Sequence, residues 1–385
     1  MSKVHMTIIE RNYSRLDNSM TFVKDKAMTM DQRNQMDSIL SSAKFSGKNE
    51  YQIRPSFSYG EIEMGSRNHV TAAVDRADGK VVGFDHIILD NAWVDSVQIP
   101  YVKRTCTVVR KDRQKQGVGS AVASESLKDT EMVFTQDDTN KYGISASFAN
   151  ANDAKTIAFY ESMKMQKLAS FALFTSHIKS METDRRVVAV CKGDIDVQNQ
   201  VLEILKNEYV NYQLIDGSFC NLKEAESIYQ RPESGNYFII YKNGEIVAGA
   251  KFVKERDLKV SGQSPSFLEK IGLASKNEPR SVNFDHLFAK QGHEKDLWVL
   301  LRTVAGRYNP NINKIQVIAD VRDENIRRYF SMADATSTPK GLGGNGSFEN
   351  PAIHLFAKTY GVSEKVVETI KEGPVLFPSD VAFYQ

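Results

Sequence analysis

Thr107-Val108-Val109-Arg110-Lys111-Asp112-Arg113-Gln114-Lys115-Gln116-Gly117-Val118-Gly119-Ser120 joins a β-branched run, Val97 to Val109, to a turn with two glycines. The run predicts a strand, and a helix is expected from about Gly117 to Lys128. Glycine at such a junction lets the main chain approach a ligand closely and adopt positive φ. The N–H groups at the start of the following helix are unsatisfied within it, and the helix dipole favours an anion there. A diphosphate suits that geometry. Lys103, Arg104, Arg110, Lys111, Arg113 and Lys115 place a local excess of positive charge around the turn, opposed only by Asp112. Taken alone, Gly-x-Gly after a strand is equally compatible with a tight turn carrying solvated basic residues.

Outward from this stretch, residues 19 to 46 read as helical. His69 to Val74 and Val81 to Leu89 flank Asp78-Gly79 as a hairpin. Tyr142 to Phe148 reads as a strand, Asp153 to Met163 as a helix, and Leu168 to Ser176 and Arg186 to Cys191 as closing strands. A comparable order returns in the second half. Tyr237 to Tyr241 and Ile246 to Val253 flank Asn243-Gly244, and Ser281 to Ala289 precedes a helical stripe of Leu297, Leu300, Leu301, Val304 and Tyr308. Lys314 to Val321 reads as a strand, and Ile326, Tyr329, Phe330 and Ala333 as one face of a helix. Two copies of one α/β unit, residues 1–193 and 194–385, are therefore expected.

The chain has 385 residues, 41% hydrophobic and 25% charged, which suits two globular domains. A formal net charge of +2 gives no reason to invoke nucleic acid. No apolar run approaches the length of a spanning helix, and the first ten residues lack the apolar core of a secretory signal, so a cytoplasmic protein without membrane partners is expected. Cys106, Cys191 and Cys220 have no paired spacing, and the histidines have no ligand spacing, so neither disulfides nor a metal is expected. Cys106, between Thr105 and Thr107, reads as a buried thiol rather than a nucleophile. The glycines between Thr336 and Ser347 lack the Gly-Lys-Ser/Thr ending of a P-loop and read as a loop.

The order helix, hairpin, strand, Gln114-x-x-Gly117-x-Gly119, helix, strand, helix resembles the GCN5-related N-acetyltransferase (GNAT) family. The turn matches that family's Arg/Gln-x-x-Gly-x-Gly/Ala signature. Asn152-Asp153-Ala154-Lys155-Thr156-Ile157-Ala158-Phe159-Tyr160-Glu161-Ser162-Met163-Lys164-Met165 partly resembles its second signature, with Lys164-Met165 where Gly-Phe is usual. The resemblance covers about residues 60 to 176. It implies an α/β fold of two tandem GNAT-like domains, each a mixed central sheet flanked by helices. It also implies transfer of an acyl group, most simply acetyl from acetyl-CoA, to a primary amine of a small molecule, a peptide or a lysine. Backbone of Thr107, Val108 and Val109 would line the pantetheine arm, with Asn152 or Asp153 nearby. Amides of Lys115, Gln116, Gly117, Val118, Gly119 and Ser120, introduced by Gln114, would hold the diphosphate. In such enzymes an amine attacks the thioester directly, needing a base and a proton for the thiolate. Tyr160 is the candidate acid. Asp85 is the candidate base, with His86 and Asp95 as alternatives. A non-catalytic CoA-binding or protein-interaction role on the same fold is the competing expectation. At the corresponding turn of the second half, Lys290-Gln291-Gly292-His293-Glu294-Lys295-Asp296 has one glycine and two acids where anion-binding amides belong, so that unit is expected to be degenerate.

Overall fold

A computed structural model describes residues 19–42, 52–55, 58–60, 62–65, 67–94, 97–137, 140–151, 153–178, 183–217, 225–253, 280–331, 353–378 and 381–384. Asn152, Asp95, Cys220 and the glycine-rich stretch 336–347 lie outside them. The chain divides into two compact units. The first takes the described residues up to Leu168, together with Leu355–Val367 and the C-terminal strand, and the second takes Ala169–His354 and Glu368–Ser379.

In the first unit the elements are β1 (Met20–Lys24), α1 (Met30–Ser42), β2 (Gln52–Pro55), β3 (Asn68–Asp75), β4 (Val81–Val94), β5 (Val97–Val109), α2 (Val118–Phe134), β6 (Thr135–Asp137), β7 (Asn140–Lys141), β8 (Gly143–Asn150) and α3 (Ala154–Ser162). The main sheet runs β1-β3-β4-β5-β8, antiparallel except for the parallel β5/β8 pair, and β16 (Ile353–Tyr360) lies beyond β8. A separate ribbon pairs β2 with β17 (Val381–Tyr384). The second unit holds β9 (Gln166–His177), β10 (Val187–Ala189), α4 (Ile195–Glu208), β11 (Ile215–Asp216), β12 (Tyr237–Lys242), β13 (Glu245–Val253), β14 (Arg280–Ala289), α5 (Glu294–Tyr308), β15 (Ile312–Asp320) and α6 (Glu324–Ser331), and α7 (Glu364–Glu372) follows β16. Its strand order is β10-β12-β13-β14-β15-β9. Strand, helix, hairpin, strand, turn, helix, strand and helix thus occur twice in one order. Each sheet is then completed by a strand from the other half of the sequence, β16 in the first unit and β9 in the second.

The expected helix over 19–46 is a strand, β1, followed by the shorter α1. β1 pairs with β3 from Met20↔Asp75 to Lys24↔Thr71, and that ladder overrides local helix propensity. Arg186 to Cys191 does not close the first sheet; its strand β10 pairs with β12 and opens the second. The hairpins form as read. Asp75 N–H bonds to Lys80 C=O at 2.9 Å across the first turn. In the second, Asn243 and Gly244 have φ of 54° and 82°, the left-handed pair that a two-residue turn requires. Leu297, Leu300, Leu301 and Val304 of α5 are buried, so the expected stripe is the face packed on the second sheet.

Two features bear on the site. Pairing of β4 with β5 shifts register: His86 faces Cys106, but Ile87 faces Arg104, so Thr105 is an extra residue, a β-bulge. The Thr105 hydroxyl ties the bulge to His86, 2.8 Å from the ring Nδ1 and 3.3 Å from the carbonyl oxygen. On the other side, β5 pairs with β8 only from Tyr101↔Ile144 to Arg104↔Ser147. Beyond that rung the two strands part.

The start of β8 is fixed by close packing. Gly143 has φ of 154°, and a Cβ there would lie 2.3 Å from Phe134 Cδ1 and 2.8 Å from the Pro100 carbonyl oxygen. Gly143→Ala is expected to destabilise the protein by about 2–4 kcal/mol through overpacking and backbone strain, read as a lower urea midpoint at unchanged slope.

Candidate functional site

β5 ends in the turn predicted from sequence. A short 3-10 turn, Lys111–Arg113, leads to Lys115 and Gly117, with φ of 61° and 86°, and α2 begins at Val118. Ala121 N–H bonds to Gly117 C=O at 3.0 Å, so the amides of Lys115 to Gly119 lie ahead of this bond at the start of α2. Gly119 sits close beneath the turn. A Cβ there would meet Val109 Cγ2 at 3.3 Å. The Gln114 side chain donates to the Val109 carbonyl at 3.2 Å, and Gln116 to the Asp112 carbonyl at 3.0 Å, so both glutamines brace the loop internally.

The basic run divides into two. Lys103 and Arg104 are buried, 0% and 2% exposed, and paired with Asp90 and Asp85, so they add nothing to surface potential. The expected patch is therefore smaller than the sequence count. At the turn, Arg110 is held by Asp112 at 2.7 Å, and Arg113 pairs with Asp75. Lys111 and Lys115 are exposed, and neither has an ion pair among the described residues. They supply the local positive charge.

Alternation decides which backbone groups of β5 face the gap. Arg110 N–H bonds to Val82 C=O at 2.8 Å, so in the register Gly83↔Val109, Phe84↔Val108, Asp85↔Thr107 it is Val108 that bonds to β4. Thr107 and Val109 turn their N–H and C=O groups the other way, to the side from which β8 has departed. The splay, the open edge and the turn form one continuous track.

Around the vertex of the splay lies a polar cluster. Asp85 is fully buried, with Arg104 Nε 3.0 Å from one carboxylate oxygen and the Thr107 hydroxyl donating to it. A base must reach the proton it takes. Asp85, the expected base, is instead enclosed and held by these two partners. His86 is also fully buried, against Thr105. Tyr160 reaches the same region from α3, its hydroxyl donating to the Phe148 carbonyl at 3.4 Å. Burial pushes its phenol up to about 12; Arg104 opposes the shift, and Asp85 and Cys106 reinforce it. Ser147 lies near enough to favour the phenolate slightly, but outside hydrogen-bond geometry. Cys106 is buried, 3.2 Å from the Tyr59 hydroxyl. Asp153 serves as the N-cap of α3, accepting from Lys155 N–H at 3.2 Å, Thr156 N–H at 3.1 Å and the Thr156 hydroxyl at 2.7 Å. Its oxygens are occupied by the helix start. Sequence reasoning missed Arg104 and Ser147 as members of this cluster. The available signal was a charged residue inside an apolar strand.

The second unit carries the same devices in altered form. Its bulge lies in β14, where His286, with φ of 47°, and Leu287 together face Ala250. β14 and β15 part after Phe284↔Val317. The equivalent strand bond, Lys290 N–H to Val247 C=O at 2.9 Å, is followed by only three residues before the helix, Gln291 to His293, against seven in the first unit, Lys111 to Gly117. Glu294 and Asp296 occupy the helix start, and Asp296 lies 2.8 Å from His293 Nδ1 and 3.5 Å from both Arg186 and Lys242. Tyrosines cover the open edge. Tyr329 accepts from Ala289 N–H at 3.0 Å, Tyr209 donates to Leu287 C=O at 3.1 Å, and Tyr237 to His286 C=O at 2.8 Å.

Neither a protein-family model nor a curated protein matches the sequence. Two solved structures of N-myristoyltransferase from Saccharomyces cerevisiae with bound myristoyl-CoA match the fold with a TM-score of 0.55 at 10% identity, over 90% of this chain and 80% and 84% of theirs. A GCN5-related N-acetyltransferase from Anabaena variabilis is matched with a TM-score of 0.48 at 10% identity, over 88% of this chain and 73% of that one. At such identity the likeness is one of architecture: an α/β fold of mixed sheet flanked by helices.

Proposed function

We propose that the chain is an acyl-CoA-dependent N-acyltransferase working through its first unit, transferring acetyl to a primary amine. One observation carries this reading. A run of outward-facing backbone, Val109 and Thr107, connects a glycine-bearing helix start with adjacent lysines to a buried polar vertex. A diphosphate bound by amides of residues 115–120 and by Lys111 and Lys115 sets an extended, amide-bearing arm alongside β5 as an added strand. From Val109 to Arg104 the strand rises roughly 17 Å, at about 3.3 Å per residue. The thioester then arrives at the vertex beside Tyr160. An aliphatic tail pressed on Arg104, Asp85 and Ser147 would bury polar groups without partners, which favours a two-carbon acyl group.

With Asp85 enclosed, water reaching the amine takes its proton. Tyr160 remains neutral across the working pH range, and its hydroxyl turns from the Phe148 carbonyl to donate to the departing sulfur. A phenol at about 12 is a weaker proton donor than free tyrosine. The second unit, with its short turn, acidic helix start and tyrosine-covered edge, takes no CoA in this reading.

Calorimetric titration should give one acetyl-CoA site per chain. Gly119→Tyr should weaken binding at least 100-fold while the circular-dichroism spectrum is kept; unaltered binding would refute the site. Saturable binding with no transfer to any member of an amine panel would instead favour the non-catalytic alternative, and a stronger response to myristoyl-CoA would refute the short acyl group.

Tyr160→Phe should lower kcat about 10–100-fold, as expected for loss of one positioned donor. Binding of acetyl-CoA should change less than twofold. Because the folded phenol ionises only near 12, the wild-type kcat profile should show no falling limb from this tyrosine below about pH 11.

A further inference from the structure

The last rung that joins β5 to β8 is Arg104↔Ser147, and residues opposed in register on neighbouring strands project from the same face of the sheet. Both side chains are buried, 2% and 0% exposed. Arg104 uses Nε on Asp85 and Nη2 on the Ala123 carbonyl at 3.4 Å, but its Nη1 has no partner. Ser147 Oγ has none either. Their neighbours are engaged: Thr107 with Asp85, Tyr160 with the Phe148 carbonyl. Two buried donors left unmade on one face of the sheet are costly in a folded protein and rare without a reason. They stand where the two strands separate, at the end of the open track along Val109 and Thr107.

Resting on the acyl-transfer reading, we infer that Arg104 Nη1 and Ser147 Oγ are the donors that receive the thioester carbonyl oxygen as it becomes an oxyanion. The charge balance selects this ligand. Asp85 already offsets Arg104, so a permanent carboxylate would leave the buried cluster with net negative charge. A neutral carbonyl enters without that penalty and gains most when negative charge develops on it. In the step itself the amine nitrogen bonds to the carbonyl carbon, and the carbonyl π pair moves to oxygen, toward Arg104 and Ser147. On collapse the C=O bond reforms and the C–S bond breaks with its pair on sulfur. The nitrogen's surplus proton leaves to water, and the thiolate is protonated from solvent. Arg104 keeps its proton throughout, so the donors act by placement alone.

The test uses the full chain with acetyl-CoA and an acceptor amine. Ser147→Ala removes one donor from a small buried site, and Arg104→Lys removes Nη1 while keeping a cation for Asp85. Each should lower kcat about 100-fold. The dissociation constant for acetyl-CoA and the melting temperature should stay near the wild-type values for Ser147→Ala. A second readout needs no turnover. The infrared carbonyl stretch of 1-13C-acetyl-CoA should fall on binding to the wild type and return toward its free value in Ser147→Ala. A wild type that binds and turns over acetyl-CoA, with Ser147→Ala at unchanged kcat and unchanged stretch, overturns the inference and leaves the acyl-transfer reading standing. A wild type that does not bind acetyl-CoA overturns both.

Discussion

The first unit depends on one surplus residue. Thr105 has no counterpart in β4, and the bulge it makes both twists β5 and ends its pairing with β8 at Arg104. A ladder with β8 continued past Arg104 would have paired Thr107 and Val109 and closed the gap. The bulge is held by the Thr105 hydroxyl on His86, so the opening is built into the core rather than left to a loop. Everything assigned to the site follows from that opening: backbone donors and acceptors along one edge, a helix start at one end, and buried side chains at the other.

Comparing the two units shows what the opening alone does not provide. Both have the bulge, the splay and a left-handed glycine at the turn, with φ of 86° at Gly117 and 84° at Gly292. They differ in what surrounds these features. Four fewer residues before the helix remove the loop that carries Lys111 and Lys115. Acids at the helix start satisfy its dipole internally. Two phenols, Tyr209 and Tyr329, then engage Leu287 C=O and Ala289 N–H, on the residues of β14 that correspond to the outward-facing Thr107 and Val109. The architecture persists while the chemistry that would receive an anionic nucleotide is absent. On the acyl-transfer reading, one fold would then hold a CoA-binding half beside one without that chemistry.

Local signals in the sequence carried most of the fold. Asp78-Gly79 and Asn243-Gly244 marked the hairpins, and the strand Val97–Val109 and the α5 stripe were readable because each depends on nearest neighbours and one buried face. The turn at 114–119 was legible for the same reason. Long-range facts were not. That β1 is a strand depends on β3, about fifty residues away. The placement of β9 and β16 depends on partners that no local periodicity encodes. At the site, Asp85 suggested a base because sequence gives residue type without enclosure; its commitment to Arg104 is a tertiary fact. Likewise, Lys103 and Arg104 counted as surface charge until strand alternation and two aspartates buried them.

On the acyl-transfer reading, the outward backbone of β5 and the amides of the turn grip a CoA thioester. Amide hydrogen exchange, resolved by residue with and without saturating acetyl-CoA, tests this most directly. Thr107, Val109 and residues 115 to 120 should become protected while Leu287, Ala289 and the turn at Gln291 to His293 remain as they were. Protection confined to the second unit, or no change at Thr107 and Val109 under saturation, would contradict the account.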